Sequence, residues 1–384
     1  MDFALSGEQR MIQDSARQMV ARVILPTLDA HPADRPLPKP ALLHIYAALA
    51  DQGLMAPRLP ESAGGSGMSM LTYGLMFEQL PPVIAISLLS HECTVARMHA
   101  ESTEAQRERI LPALLAGTEI CCTGTTEPDV GSDPRGVKTR VVADGDALVI
   151  TGSKLWITNA SVSDVINATC AERQLDGQTR MRRLAVQRAV SPYATHEIET
   201  LGLRQGHLAE VVFENCRVPA DNALGAAGDA ARLLTLTWNG NRPLVGLAAV
   251  HLAQRAFDAA VAYAGVRRQF GKAIGGHQLV QKNLADIETA ITTSRLLCYH
   301  ALAAIDRGER ANGPSAMAKR YATTACQDAI STAMHIHGAM GISREAKLEE
   351  LFRDVRMLPI PDGTNEILAL IQGREITGIS TFRN

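Results

Sequence analysis

From Ser6 to about Gly117, apolar residues recur at three- and four-residue intervals. This spacing predicts helices over Glu8–Val23, Lys39–Gln52, Met70–Gln79, Ile84–Ala100 and Glu104–Ala116. Between the second and third, Leu59-Pro60-Glu61-Ser62-Ala63-Gly64-Gly65-Ser66-Gly67 is punctuated by proline and glycine and predicts a loop. From Glu119 to about Gly225 the period changes to two. Val137–Val142, a turn at Asp144-Gly145-Asp146 and Ala147–Thr151 predict a hairpin, and Glu210–Pro219 predicts the strand that closes this region. After Gly228 helical periodicity returns near Leu233–Arg267, Leu279–Asp306, Ser315–Ile336 and Glu345–Arg356. Helices, then strands, then helices predict an α+β chain in which the sheet is an inserted layer. The expected division is a helical N-terminal domain at 1–118, a small antiparallel β domain at 119–228 and a C-terminal four-helix bundle at 229–384.

Composition narrows the partners. The 384 residues can bury a large core, and 38 Lys and Arg against 40 Asp and Glu give a net charge of -2. That balance offers no electrostatic case for nucleic acid or an anionic membrane. The N-terminal residues lack a basic and then apolar leader, and the most apolar stretch, Leu244–Tyr263, is broken by His251, Gln254, Arg255 and Asp258. The expectation is a cytoplasmic protein with neither a cleaved leader nor a membrane span. Seven scattered cysteines without a CxxC pair read as reduced thiols, not as disulfides or a zinc cluster. His335 and His337 stand two apart on a helix, hence on different faces, so no metal site is expected.

Candidate chemistry concentrates in a few segments. Pro361-Asp362-Gly363-Thr364-Asn365-Glu366 puts a carboxylate on a loop between proline and glycine, just where a helix begins, which is a way to hold a general base. Thr126-Glu127-Pro128-Asp129-Val130-Gly131-Ser132-Asp133 follows the strand Ile120–Gly124, and its glycine lets backbone approach a ligand closely. Gly152-Ser153-Lys154-Leu155-Trp156-Ile157-Thr158-Asn159 comes next. Arg267-Arg268-Gln269-Phe270-Gly271-Lys272 with His277-Gln278, and then His337-Gly338-Ala339-Met340-Gly341, lie further on. Arg267 and Phe270 are one helical turn apart.

In this order, these motifs resemble those of the acyl-CoA dehydrogenase family over residues 1 to about 375: TEPxxGSD, G-x-K-x-W-I-T-N, RxxFGK, the (H/F)-Q that follows it, G-G-x-G and the aromatic-Glu-Gly-Thr loop. The resemblance implies the same three-part fold, with FAD and an acyl thioester in the cleft between the parts. It implies that Asp362 removes the α proton while flavin takes the β hydride, the enolate being held by the Asp362 backbone N–H and a flavin ribityl hydroxyl. Here Asp stands for the family's Glu and Pro361 for its aromatic residue. One methylene shortens the reach by roughly 1.5 Å, worth about 100-fold for a substrate shaped for Glu. Some relatives that oxidise alicyclic acyl-CoAs use Asp there.

The resemblance further assigns cofactor contacts to Thr126, Gly131, Ser132, Trp156, Ile157 and Thr158, with Thr158 near flavin N5. Arg267, Phe270, Gln278, His337, Gly338 and Gly341 would complete the FAD site of another subunit, which implies a dimer or tetramer. Thr364 and Glu366 would also touch FAD. Substrate contacts fall to Ser132, Arg242, Asn239, Gly363 and Glu92. Arg242 would orient the base loop, and Asn241 occupies the family's second base location. Glu92, on the segment that lines the acyl pocket, would favour a polar or cationic acyl group or act as a second base. Asn239 replaces an acidic residue used towards CoA, so the thioester could be on CoA or a carrier protein. The activity expected is FAD-dependent α,β-dehydrogenation of a branched or alicyclic acyl thioester, with electrons passing to an electron-transferring flavoprotein or another acceptor. An enoyl thioester reductase is the alternative.

Overall fold

The computed structural model describes residues 4–228 and 230–381, and the backbone alone over 230–236. The N-terminal part holds α1 (Gly7–Met19), α2 (Leu25–Asp29), α3 (Lys39–Asp51), α4 (Met70–Phe77), α5 (Pro82–Glu101) and α6 (Glu104–Leu115). Ser6 and Thr103 close capping boxes with Gln9 and Gln106, which fixes where α1 and α6 start. The predicted helix over Glu8–Val23 does not run unbroken: a π-helical turn at Val20–Ile24 joins α1 to α2, just ahead of Pro26, which has no N–H to donate.

The middle part carries β1 (Cys121–Gly124), β2 (Arg140–Asp144), β3 (Ala147–Thr158), β4 (Val165–Arg173), β5 (Thr179–Gln187), β6 (Ala194–Glu197), β7 (Leu208–Pro219) and β8 (Ala223–Leu224). The hairpin forms as the sequence predicts, with Asp144 paired to Ala147 and Gly145 at φ 63° in the turn. The sheet departs from a purely antiparallel one: β4 runs parallel to both β1 and β2. The chain reaches β4 by crossing the sheet and not by a tight turn, so period-two patterning alone could not show its direction.

The C-terminal part is built on α7 (Ala230–Val266), α8 (Gln278–Asp306) and α9 (Asn312–His337), with a short ribbon of β9 (Arg268–Gln269) and β10 (Lys272–Ala273) between the first two. The fourth layer is divided between α10 (Leu348–Met357) and α11 (Asn365–Thr377), separated by the loop that carries Asp362. On composition alone Thr237–Val266 could cross a membrane. Here most of its apolar residues from Leu244 to Ala264 are buried in the main core with Cys298, Ala301, Ala318 and Ala322, while Val261 and Ala262 face outward. Close helix packing depends on small residues at the contacts. Gly246, for example, lies where a Cβ would come 2.6 Å from the Cys298 sulfur.

Candidate active site

The loop between α10 and α11 is held from behind by two buried cations. Arg242 Nε donates to the Asp362 carbonyl at 3.1 Å, and Lys319 Nζ donates to the carbonyls of Pro359 at 3.0 Å and Gly363 at 2.6 Å. Asp362 adopts φ 54° and Gly363 φ 99°. A left-handed aspartate followed by a second positive φ persists only where its surroundings over-determine it, and these three carbonyl contacts do so. The helix cap is Thr364, whose hydroxyl accepts from Ile367 N, so Asp362 is free of capping duty, and the residue is half-buried. Lys319 was not singled out in the sequence, because a lysine inside an amphipathic helix reads as a surface residue. It is in fact fully buried.

Burial pulls the Lys319 ammonium down from 10.5 to about 7, with Asp362 pulling it back up and Arg242 pressing it further down. A neutral amine still has two hydrogens for the two carbonyls. Between pH 7 and 10.5 the unfolded chain binds a proton here that the folded chain does not, so this group makes stability rise with pH across that window. Replacing Lys319 with Met is therefore expected to flatten the rise in unfolding free energy over that range, as read by urea unfolding at a series of pH values. Equal slopes in the two proteins would dismiss the assignment.

The segment bearing Thr126, Gly131 and Ser132 is clamped to β3 by a buried ion pair. Lys154 Nζ lies 2.7 Å from Glu127 Oε1, and Glu127 also accepts from the backbone N–H of Lys138 at 2.6 Å and Thr139 at 2.9 Å. Leu155 N donates to the Thr126 carbonyl at 2.9 Å. The Glu of the first motif and the Lys of the second are thus structural partners. Gly131 and Ser132 stand exposed beyond the clamp.

Within β3 the register against β7 slips between Lys154 and Ile157, and Trp156 sits at φ 61° with its ring 55% exposed. Trp156 is therefore not core packing. Ile157 corrects the expectation of a cofactor-lining side chain: it is buried in the core of the sheet, and only its backbone is available to a ligand. Thr158 is half-buried, and its carbonyl accepts from Ser90 Oγ on α5 at 3.3 Å. An exposed aromatic ring, a glycine-containing turn and neighbouring hydroxyls suit a planar, phosphate-bearing group such as FAD.

The other predicted cofactor residues gather at the far end of α7. Phe270, at φ 51° and 95% exposed, meets the His277 ring edge-on, and Arg267 and Gln278 are exposed beside it. His337 is buried and stacked on Tyr263 at 4.4 Å, which joins the ends of α7 and α9. Its ring thus serves packing, and the exposed Gly338 turn follows. From Arg242 to Arg267 the rise along the helix is about 37 Å, so these residues lie remote from Asp362 in the same chain. Gly341 is enclosed: a Cβ there would lie 2.1 Å from the Met334 carbonyl oxygen. Gly341→Ala is expected to displace this turn and to cost about 1–3 kcal/mol, measured by urea unfolding; a variant within 0.5 kcal/mol of the parent, roughly the scatter of neutral changes, would contradict it.

Glu92 does not face a ligand as the sequence suggested. It has no exposed surface, and its Oε1 accepts from Arg58 Nη2 at 2.6 Å and Tyr73 Oη at 3.4 Å. Burial lifts its carboxyl above the usual range while Arg58 and Tyr73 pull it back, and the short contact favours the ionised pair. Arg58 Nη2 also donates to Asn241 Oδ1 at 2.7 Å, next to the Arg242 that holds the base loop. Gly240 makes this possible, because a Cβ there would come 2.8 Å from Arg58 Nη1. Asn239 turns inward, donating to Asn312 and accepting from Arg242 Nη1 at 3.2 Å. Among the described residues no group of three or more His, Cys, Asp or Glu side chains could hold a metal.

Comparison with known proteins matches three consecutive segments to one family: the acyl-CoA dehydrogenase N-terminal domain over 6–118, its middle domain over 122–216 and its C-terminal domain over 231–377. The probable acyl-CoA dehydrogenase YngJ of Bacillus subtilis is 32% identical, with 98% of this chain and 100% of that protein covered. The cyclohex-1-ene-1-carbonyl-CoA dehydrogenase of Geobacter metallireducens is 32% identical over 97% of this chain and 98% of its own length. The solved butyryl-CoA dehydrogenase of Megasphaera elsdenii superposes with a TM-score of 0.90 at 27% identity, covering 98% of this chain and all of that one.

Proposed function

Because the chain belongs to the acyl-CoA dehydrogenase family, whose cofactor is FAD, we propose that it introduces an α,β double bond into an acyl thioester with Asp362 as the base. The observation that carries this reading is the grip on the loop: two buried basic side chains fix the backbone around a carboxylate that caps no helix and, among the described residues, makes no ion pair. The location of a second base offers only Asn241, which is engaged with Arg58. FAD, when bound, supplies the acceptor for the two electrons of the β C–H bond. Thr126, Gly131, Ser132, Trp156, Thr158, Thr364 and Glu366 are the residues that would hold it. Asp362 takes the α proton, Arg242 and Lys319 keep its carboxylate aimed, and the Asp362 N–H stands where the thioester carbonyl gathers charge.

The shorter base favours a compact, branched or alicyclic acyl group over a long straight chain. A carrier-protein thioester is the second reading, since the Asn239 amide is occupied by Asn312 and Arg242 and so is withdrawn from CoA. The remoteness of Arg267, Phe270 and Gln278 from Asp362 supports a homo-oligomer in which these residues, with Gly338 and Gly341, complete the neighbour's FAD site. Electrons would leave to an electron-transferring flavoprotein or another acceptor. The seven reduced, buried thiols fit a cytoplasmic location.

The test is an anaerobic absorbance titration of the FAD-loaded protein with short, branched, alicyclic and dicarboxylic acyl-CoAs and their pantetheine thioesters. Bleaching of the flavin is the expected result. Reoxidation of pre-reduced enzyme by enoyl thioesters, with no bleaching by saturated ones, would assign the reverse reaction instead.

A further inference from the structure

Arg97 is a buried guanidinium whose described partners are both hydroxyls. Its Nε donates to Thr237 Oγ1 at 2.7 Å and its Nη1 to Thr123 Oγ1 at 3.0 Å. It is 4% exposed, and among the described residues no carboxylate lies within ion-pair distance of it. A buried cation without an anion is costly. The nearest carboxylates are already taken: Glu92 holds Arg58 at 2.6 Å and Glu101 holds Arg183 at 2.7 Å. Among the described residues neither carboxylate is left for Arg97, and protonation of Glu92 would only add to the positive charge around it.

Arg97 is tied to α7 at Thr237, one turn before Asn241, which accepts from Arg58 beside the Arg242 that grips the Asp362 carbonyl. Cys93 lies one turn before Arg97 on α5, on the same face. Burial raises its thiol first, and Arg97, Glu92, Arg58 and Asp362 all act on it as charged neighbours. Arg58 and Arg97 thus both reach the stretch of α7 that also holds the base loop. Arg58 is the more open of the pair, its side chain 13% exposed.

We propose that Arg97, with Arg58 beside it, reads an anionic substituent on the acyl group, so that the preferred substrate is a thioester whose acyl chain carries a carboxylate. This rests on the dehydrogenation reading and names its substrate class. The substrate brings the anion that the protein withholds from Arg97, and a guanidinium meets a carboxylate with two parallel hydrogen bonds. Glu92 is a positioning residue that holds Arg58 in place. A neutral acyl group leaves Arg97 desolvated and without a counter-ion, which is expected to lower kcat/KM about 100-fold relative to its acidic counterpart.

The test uses the FAD-loaded enzyme and pairs matched in length: glutaryl-CoA against pentanoyl-CoA, and adipoyl-CoA against hexanoyl-CoA. The expected result is faster flavin bleaching and higher kcat/KM for the acidic member of each pair. In Arg97→Met that ratio should fall at least about 10-fold, and Arg97→Lys should restore part of it. The wild-type ratio needs no variant to fold: a neutral member that matches or exceeds its acidic partner, while still bleaching the flavin, overturns this assignment and leaves dehydrogenation standing. Bleaching by no member of either pair overturns both. An unchanged ratio in a folded, flavin-loaded Arg97→Met protein removes Arg97 from the recognition.

Discussion

Replacing Asp362 with Asn is expected to lower kcat by about 10²–10⁴-fold, the range in which a positioned general base contributes. The fold should survive. What Arg242 grips is the Asp362 backbone carbonyl, and Lys319 grips the carbonyls of its neighbours, all of which the substitution keeps. Asparagine also tolerates the left-handed conformation at φ 54°. The measurement pairs turnover with anaerobic flavin bleaching by the best acyl thioester found. A variant that binds FAD, melts like the parent and still turns over at more than a tenth of the parental rate would remove Asp362 from the base role. Asp362→Glu gives the converse reading, because the added methylene moves the carboxylate by roughly 1.5 Å and should lower activity if the cleft is shaped for the shorter side chain.

The largest effect on stability is expected at Lys154. Replacing it with Met leaves the Glu127 carboxylate buried without its cation, a change worth about 3–5 kcal/mol. The two backbone N–H groups of Lys138 and Thr139 still reach that carboxylate, so the lower end of the range is expected. Burial pulls the Lys154 ammonium down, and burial alone would raise Glu127. Lys154, Thr139 and Lys138 nevertheless hold Glu127 below its ordinary value of 4.5. A depressed carboxyl contributes stability above its unfolded pKa and loses it as pH falls through the folded one, so the difference between parent and variant should shrink below about pH 4.5. Urea unfolding at pH 7 and pH 4 measures both. The double variant Glu127→Gln/Lys154→Met should recover much of the loss, since no charge is then stranded. A single variant as stable as the parent would mean that the clamp on the Thr126–Ser132 turn is held by other contacts.

Much of the fold was legible because its causes are local. Three- and four-residue apolar spacing gave the N-terminal helices to within a few residues, and an alternating pattern broken at Gly145 gave the hairpin. Direction within the sheet was not legible. β4 pairs in parallel with β1 and β2 through contacts set by how the connections cross the sheet, and side-chain alternation is the same in either direction. The site divides in the same manner. Asp362, Trp156, Arg242 and Arg267 stood out because their motifs recur in a fixed order. Lys319, Arg58 and Arg97 carried no such signal, as each falls within an ordinary helical or loop pattern.

By itself, the sequence determined most of the helices, the β2–β3 hairpin and the closing strand β7, the succession of helical, strand and helical segments, and which carboxylate stands in the motif loop. These follow from periodicity, capping and turn residues acting over a few positions. Only the tertiary structure decided that Lys319 joins Arg242 in holding that loop from behind and that Glu92 is spent on Arg58. It also left Arg97 buried with, among the described residues, only hydroxyl partners. Each of these depends on which charges burial brings together across distant segments, and the cost of a buried charge is set by its neighbours in space and not by its neighbours in the chain.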